Sequence, residues 1–138
     1  MTIMNTVVGA IIVAFGLFLV ALTVLVFARP VVAERFFMSF ASSARAHYTE
    51  QVVRLLIGAS LVIRSAAMWQ PKVFWFVGWA IVVSSLVLIL TPWQWHHRFG
   101  EKVRPIVIHR MKLFAIGLLA FGVLLVYGVF AAVSPTAT

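Results

Sequence analysis

The stretch that decides the fold is VVGAIIVAFGLFLVALTVLVF, residues Val7–Phe27, which is 21 residues long and carries no charged side chain. At about 1.5 Å of rise per residue, a helix of this length crosses the roughly 30 Å hydrocarbon core of a bilayer. No Lys or Arg precedes it, and it is longer than the apolar core of about 7–15 residues in a signal peptide. We therefore expect a transmembrane helix rather than a cleaved leader.

The composition of the whole chain supports a lipid environment. Of its 138 residues, 64% are hydrophobic and 10% are charged, against about 45–50% and about 25% in a soluble domain. Cys is absent, which excludes disulfides, thiolate metal sites and cysteine nucleophiles. Asp is absent as well, so a Ser–His–Asp triad is impossible.

Three further apolar segments follow the first, at Val52–Trp69, Val73–Leu90 and Leu113–Val133. The first of these is the weakest because it contains Arg54 and Arg64. We expect both long side chains to extend to opposite interfaces, although an arginine inside the membrane can also bind an anion, a lipid phosphate or a partner's carboxylate. Four transmembrane helices are predicted, and a three-span chain with Val52–Trp69 lying flat is the main alternative.

The distribution of basic residues predicts the orientation. The net charge of +8 is concentrated between apolar segments, which is typical of the positive-inside pattern and not of a nucleic-acid-binding surface. Only Arg64 and Lys72 fall on one side. Nine fall in or beside the first and third connectors: Arg29, Arg35, Arg45, Arg54, Arg98, Lys102, Arg104, Arg110 and Lys112. We expect a bacterial-type inner membrane protein with these connectors on the cytoplasmic side and both termini on the outer side. We expect no nucleic-acid partner.

The two halves of the chain share a pattern. A Gly precedes a Pro by 14 residues at Gly16–Pro30 and again at Gly78–Pro92, and an Ile-Gly pair follows each, ending at Gly58 and Gly117. The predicted fold is an all-α integral membrane protein whose four transmembrane helices form two tandem helix-hairpin repeats. These are residues 1–70 and 71–138 of one membrane domain, 1–138. Such repeats are related by an axis along the membrane normal, and chance similarity between apolar segments is the alternative.

Both cytoplasmic connectors have an amphipathic pattern. Helical spacing places one set of apolar residues on a single face in each connector: Ala33, Phe37, Phe40, Ala41, Ala44 and Tyr48 in the first, and Trp95, Phe99, Val103, Ile106 and Val107 in the third. Pro105 predicts a kink or a break. We expect amphipathic interfacial helices with basic faces toward anionic lipid, and plain extensions of the transmembrane helices are the alternative.

Candidate ligand-binding residues are mostly basic. The predicted lipid- or anion-binding set is Arg35, Arg45, Arg54, Arg64, Arg98, Lys102, Arg104, Arg110 and Lys112. Glu50 precedes Arg54 by four residues, which favours an ion pair. His97 and Glu101 share a helical face and supply half of a metal site, so no metal or other cofactor is predicted. Ser84 and Ser85 lie in a predicted span and no His is expected at their depth, which leaves no predicted catalytic residue.

Small residues predict helix contacts, because they let backbones approach closely where no hydrophobic force drives association. The predicted packing residues are Gly9, Ala10, Ala14, Gly16, Gly58, Gly78, Ala80, Ser84, Gly117, Gly122 and Gly128. We expect them to pack this chain internally, with contacts to other subunits as the alternative.

Three functions are compatible with these patterns. The first is a non-enzymatic accessory or assembly subunit, or a homo-oligomer, whose basic face binds anionic lipid or an acidic membrane-protein partner. The second is a small transporter or channel for an anionic solute that uses Arg54 and Arg64. The third is a membrane enzyme or a metal or haem carrier that uses the interfacial His and Glu residues.

Overall fold

The computed structural model describes residues 2–40 and 42–131. Within them lie six α-helices and no strand, which confirms the all-α prediction. The helices are α1 (Ile3–Ala28), α2 (Pro30–Ser39), α3 (Ala44–Arg64), α4 (Pro71–Leu90), α5 (Trp93–His109) and α6 (Met111–Phe130), and a 3₁₀ turn covers Ser65–Ala67. Ala41 of the first connector and Val133, the predicted end of the last span, lie outside the described residues.

Within residues 2–40 and 42–131, three helices, α1, α4 and α6, are long and apolar enough to cross a membrane, judged by length and composition. No more than 33% of the most apolar window of any of them is buried inside the protein. The outward surfaces are therefore apolar over most of the length of each helix. Surfaces of this kind indicate contact with a lipid bilayer and a multi-pass membrane protein.

The four long helices pack side by side in the order α6, α1, α3, α4. The core between them is formed by aliphatic, aromatic and methionine side chains from all four helices and the turn after α3: Ile12, Leu19, Ile57, Leu61, Met68, Phe74, Leu125 and Val129. We call the end of the bundle where α2 and α5 link the long helices the connector end. The opposite end, which contains Ser65–Ala67, is the turn end.

Two pairs of glycines mark the closest helix crossings. At the α1–α6 crossing, a Cβ added to Gly16 would lie 2.8 Å from the carbonyl oxygen of Gly122, and one added to Gly122 would lie 2.7 Å from that of Gly16. At the α3–α4 crossing, a Cβ added to Gly58 would lie 3.0 Å from the carbonyl oxygen of Gly78, and one added to Gly78 would lie 2.9 Å from that of Gly58. Both crossings bring backbone against backbone, so any side chain at these four positions would force the helices apart.

The helix that contains the predicted second segment is displaced toward the N-terminus. It begins at Ala44 and ends at Arg64, whereas the apolar segment runs from Val52 to Trp69. The early start has a local cause, because the Ser43 hydroxyl accepts a hydrogen bond from the Ala46 amide at 3.1 Å and caps the helix. Two turns that the hydropathy pattern assigned to the connector therefore belong to α3.

The predicted apolar face from Ala33 to Tyr48 required the first connector to form one amphipathic helix, and this prediction is wrong. The connector forms α2, which ends at Ser39, and the first turns of α3, and the chain turns between them. Serine hydroxyls compete for the backbone carbonyls at this point: Ser39 donates to the Phe36 oxygen at 2.6 Å, and Ser42 donates to the Ser39 oxygen at 2.7 Å.

The third connector is one amphipathic helix, as its spacing predicts. Helix α5 continues through Pro105 to His109 without a break, and none of its residues is buried. Val103 and Val107 are half-buried against the rest of the protein. The three larger residues of the predicted apolar face are exposed: Trp95, Phe99 and Ile106.

Candidate functional site

A polar cluster lies at the connector end, on the face of α3 that packs against α4. His47, Gln51 and Arg54 follow one another at i, i+4 and i+7 and continue the line that reaches Gly58. His47 and Gln51 are fully buried. Side chains of this polarity are rarely buried without partners. The polar cluster is completed by residues of three helices: Glu50 of α3, Ser84 and Ser85 of α4, and His96 of α5.

Arg54 is held by the two serines of α4. Its Nε donates to the Ser85 hydroxyl at 3.2 Å, and its Nη2 donates to the Ser84 hydroxyl at 2.8 Å. Both hydroxyls donate in turn to the Ile81 carbonyl oxygen, that of Ser84 at 3.0 Å and that of Ser85 at 2.7 Å. The serine oxygens are therefore acceptors for the guanidinium, which removes much of the cost of placing an arginine beside apolar helices.

The predicted pair of Glu50 and Arg54 is present, and it is loose. Glu50 Oε1 lies 3.8 Å from Arg54 Nη1, which is beyond hydrogen-bond distance. The second carboxylate oxygen, Oε2, is buried and has no hydrogen-bond partner among the described residues. The Glu50 carboxylate thus keeps one acceptor that no donor of the described residues satisfies.

Two histidines from different helices share a hydrogen bond. His47 Nδ1 lies 2.8 Å from His96 Nδ1, and His47 Nε2 lies 2.9 Å from the Leu88 carbonyl oxygen. A carbonyl oxygen can only accept, so His47 Nε2 carries a proton. In the neutral pair His47 Nδ1 then accepts, and His96 Nδ1 donates. Burial lowers the pKa of His96 below its usual 6.5, and the neighbouring His47 and Arg54 lower it further.

Gln51, like Glu50, has buried polar atoms that lack a hydrogen-bond partner among the described residues. Both Oε1 and Nε2 are buried, and neither has a hydrogen-bond partner within residues 2–40 and 42–131. An unsatisfied buried polar group costs about 1–3 kcal/mol. This position therefore destabilises the bundle unless water or another polar molecule reaches the amide.

Two cavities meet beside the polar cluster. The larger, about 420 Å³, lies between α1 and α3, and Phe15, Phe18, Phe37 and Phe40 line much of it. The smaller, about 230 Å³, is lined in part by polar residues of α3 and α5: Glu50, His96, His97 and Glu101. The two cavities share three lining residues, Phe37, Phe40 and Glu50, and adjoin each other there.

Arg64 lies at the turn end, away from the polar cluster. Its side chain does not extend outward as the sequence predicts, since Arg64 is only 6% exposed. Nη1 donates to the Asn5 carbonyl oxygen at 2.7 Å, and the guanidinium lies over Gly9, where an added Cβ would be 3.0 Å from Cζ. Arg64 therefore ties the end of α3 to the beginning of α1.

The remaining predicted basic residues lie on the surface at the connector end and are not brought into one site. All are exposed: Arg35, Arg45, Arg98, Lys102, Arg104, Arg110 and Lys112. Arg104 pairs with Glu34 of α2 at 3.5 Å. A groove on α5 is lined by two aromatic and two basic residues: Trp95, Arg98, Phe99 and Lys102. Arg110 and Lys112 line a different cavity, beside Pro30.

The predicted packing residues fall into three groups. Six glycines are buried against other parts of the bundle: Gly9, Gly16, Gly58, Gly78, Gly122 and Gly128. Ser84 binds Arg54. The others are exposed on the outer surface: Ala10, Ala14, Ala80 and Gly117. A Cβ added to Gly117 would meet nothing within 4 Å.

The predicted half-site for a metal gains no further ligands. In the part of the chain that the structure describes, no three or more His, Cys, Asp or Glu residues could hold a metal ion. His97 and Glu101 line the smaller cavity instead.

Sequence reasoning missed the central members of the polar cluster. We expected no histidine at the depth of Ser84 and Ser85, whereas His47 contacts the Leu88 carbonyl one turn farther along α4. Thr23 was also missed: its hydroxyl contacts the carbonyl oxygens of Leu19 and, across the α1–α6 interface, Ala115, both at 3.0 Å. The signal for His47 was the Ser43 cap, since a helix beginning there aligns His47 with Arg54.

No protein-family model, no curated protein and no solved structure matches this chain.

Proposed function

We propose that this protein is a non-enzymatic integral protein of a bacterial-type inner membrane and acts as an accessory subunit. It crosses the membrane four times, its connectors lie in the cytoplasm, and its connector end binds anionic phospholipid. The observation that carries the proposal is the α5 groove. Trp95 and Phe99 are 65% and 64% exposed, and Arg98 and Lys102 line the groove beside them. Aromatic rings at headgroup depth with adjacent cations are the pattern of an interfacial helix on an anionic leaflet.

The packing of α3 supports a fourth span. Gly58 lies six residues before the end of α3, and Gly78 lies seven residues after the start of α4, so the antiparallel crossing falls at matching depth in both helices. The serines of α4 bind the guanidinium of Arg54, and the Asn5 carbonyl binds that of Arg64. Partners of this kind lower the cost of a helix that is less apolar than its neighbours.

The apolar side chains between Arg54 and Arg64 weigh against an anion path through these two arginines. The two arginines are ten residues apart on α3, about 15 Å by helical rise. Ile57 and Leu61 lie between them, 4% and 0% exposed, within the apolar core. A continuous polar route would need at least one of these side chains to move.

The glycine crossings support the tandem repeat. Exchanging the halves replaces α1 by α4 and α6 by α3, so the Gly16–Gly122 crossing maps onto the Gly78–Gly58 crossing. In this repeat Gly58 is equivalent to Gly122. The sequence pattern had instead paired Gly58 with Gly117.

The lipid proposal is tested by native mass spectrometry in mild detergent with phosphatidylglycerol and phosphatidylcholine. Each basic residue near an anionic surface is worth about 1 kcal/mol, so replacing Arg98 and Lys102 by Gln costs about 2 kcal/mol, or about 30-fold in affinity for phosphatidylglycerol. Lys72→Gln, at the turn end, is the matched control and keeps the affinity. Equal retention of the two lipids by the wild type would refute the proposal.

The accessory role is tested by the species present in the same spectra and by a pull-down from membranes solubilised in mild detergent. A stable complex with an integral protein, or a defined homo-oligomer, is the expected result. A monomer in both experiments contradicts an assembly role and leaves the lipid result to stand on its own.

A further inference from the structure

We infer that the cavity between α1 and α3 binds a lipid with a neutral hydroxylated headgroup, a glyceride, whose chain lies among the phenylalanines and whose head lies between Glu50 and Arg54. This ligand and this site are separate from the anionic lipid proposed for the α5 groove.

The cavity has the size and lining of a site for a lipid chain. Its volume of about 420 Å³ lies in the range of about 300–1,000 Å³ that ligand sites occupy. Four phenylalanines and several aliphatic side chains form its walls, and its polar residues, Thr49, Glu50 and Arg54, all come from α3. An amphiphile fits this division, with its chain among the rings and its head against α3.

The charge at the head position favours a neutral ligand. Glu50 and Arg54 together carry no net charge, and 3.8 Å separates Oε1 from Nη1. A phosphate would add a second negative charge beside Glu50, and an ammonium group would add a second positive charge beside Arg54. Either charged head therefore gains from one residue and loses to the other.

A hydroxyl group supplies what these two side chains lack. The buried Glu50 Oε2 has no donor among the described residues, and Arg54 Nη1 lies beyond hydrogen-bond distance of Oε1, at 3.8 Å. One hydroxyl can donate to the first and accept from the second. The adjoining 230 Å³ cavity, with His96 on its wall, accommodates the other hydroxyl groups of a glycerol head.

The test uses the full chain in phosphatidylcholine nanodiscs and a monododecanoylglycerol that carries a diazirine near the end of its chain. We expect photolabelling in the α1 and α3 peptides that contain Phe15, Phe18 and Val53. Unlabelled monododecanoylglycerol should compete at a concentration about tenfold lower than dodecyl phosphate or dodecylamine, because its hydroxyl can bond to both charged side chains, whereas either charged head is repelled by one of them. Equal competition by the three heads, or no labelling of these peptides, overturns the inference.

Two variants and one matched control sharpen the test. Glu50→Gln leaves Arg54 uncompensated, so dodecyl phosphate should become the best competitor, whereas Glu34→Gln, whose carboxylate pairs with Arg104 outside the cavity, keeps the wild-type order. An unchanged order in Glu50→Gln overturns the inference. Ala46→Phe fills the cavity, and unchanged labelling of that variant overturns it as well, which covers the case in which Glu50→Gln does not fold.

A third comparison separates this inference from the proposed function. The Arg98→Gln, Lys102→Gln variant changes only the α5 groove and should be labelled by the glyceride as the wild type is. Loss of phosphatidylglycerol binding together with intact glyceride labelling would show two independent sites.

Discussion

Replacing Gly122 by Ala should destabilise the bundle, whereas the same substitution at Gly117, five residues earlier in α6, should not. A Cβ added at Gly122 would lie 2.7 Å from the Gly16 carbonyl oxygen and 3.1 Å from the Leu19 Cβ. Neither atom belongs to the flexible end of a side chain, so α1 and α6 must separate. Overpacking of this kind costs about 1–3 kcal/mol.

The matched substitution Gly117→Ala isolates the effect of the crossing. The new methyl group meets nothing within 4 Å. Ala is also about 0.8–1.0 kcal/mol better than Gly inside a helix. We therefore expect Gly117→Ala to leave the free energy of unfolding unchanged or to raise it by up to about 1 kcal/mol.

The assay is unfolding by sodium dodecyl sulfate in mixed micelles, followed by circular dichroism, for the wild type and both variants. Gly122→Ala should unfold at a lower mole fraction of the denaturing detergent than the wild type, and Gly117→Ala should not. Equal stability of the two variants would show that the α1–α6 crossing is not the close contact described above.

Three other predictions concern the polar cluster and the topology. Because its folded pKa lies below 6.5, His96 contributes stability above the unfolded pKa that is lost as the pH falls toward the folded pKa. His96→Gln should flatten the dependence of the free energy of unfolding on pH between 7.5 and 5, and an unchanged slope would contradict the lowered pKa of His96. Gln51→Leu replaces an orphaned amide by an apolar group of similar size and should raise the free energy of unfolding by about 1–3 kcal/mol, so a loss of stability would indicate that water or a ligand satisfies the amide. The chain has no Cys, so Arg45→Cys and Arg104→Cys each give a single thiol, and an impermeant maleimide should label both only after the cytoplasmic face is exposed; labelling from opposite faces contradicts the proposed topology.

The three apolar helices could be predicted because their signal is local. Uncharged runs such as Val7–Phe27 fix the length and character of a segment without reference to the rest of the chain. The amphipathic face of α5 is equally local, because 3.6-residue periodicity alone separates Trp95 and Phe99 from the basic residues.

The helix pairing and the polar cluster could not be predicted, because both depend on contacts between residues far apart in sequence. Gly117 and Gly122 are both small residues of α6, and only the position of α1 distinguishes them. Arg54 looks costly in isolation, and its partners Ser84 and Ser85 belong to another helix. The boundary of α3 was missed for a different reason: hydropathy registers apolar side chains, whereas the Ser43 cap begins a helix in a polar stretch.

The α1–α6 crossing has a consequence for biosynthesis. Gly16 and Gly122 are separated by 106 residues (122 − 16), and ribosomes add about 5–20 residues per second. About 5–20 s therefore pass between the synthesis of Gly16 and that of its glycine partner on α6. During this interval the face of α1 at Gly16 is open to the lipid and to neighbouring nascent helices, and it is covered once α6 has been made.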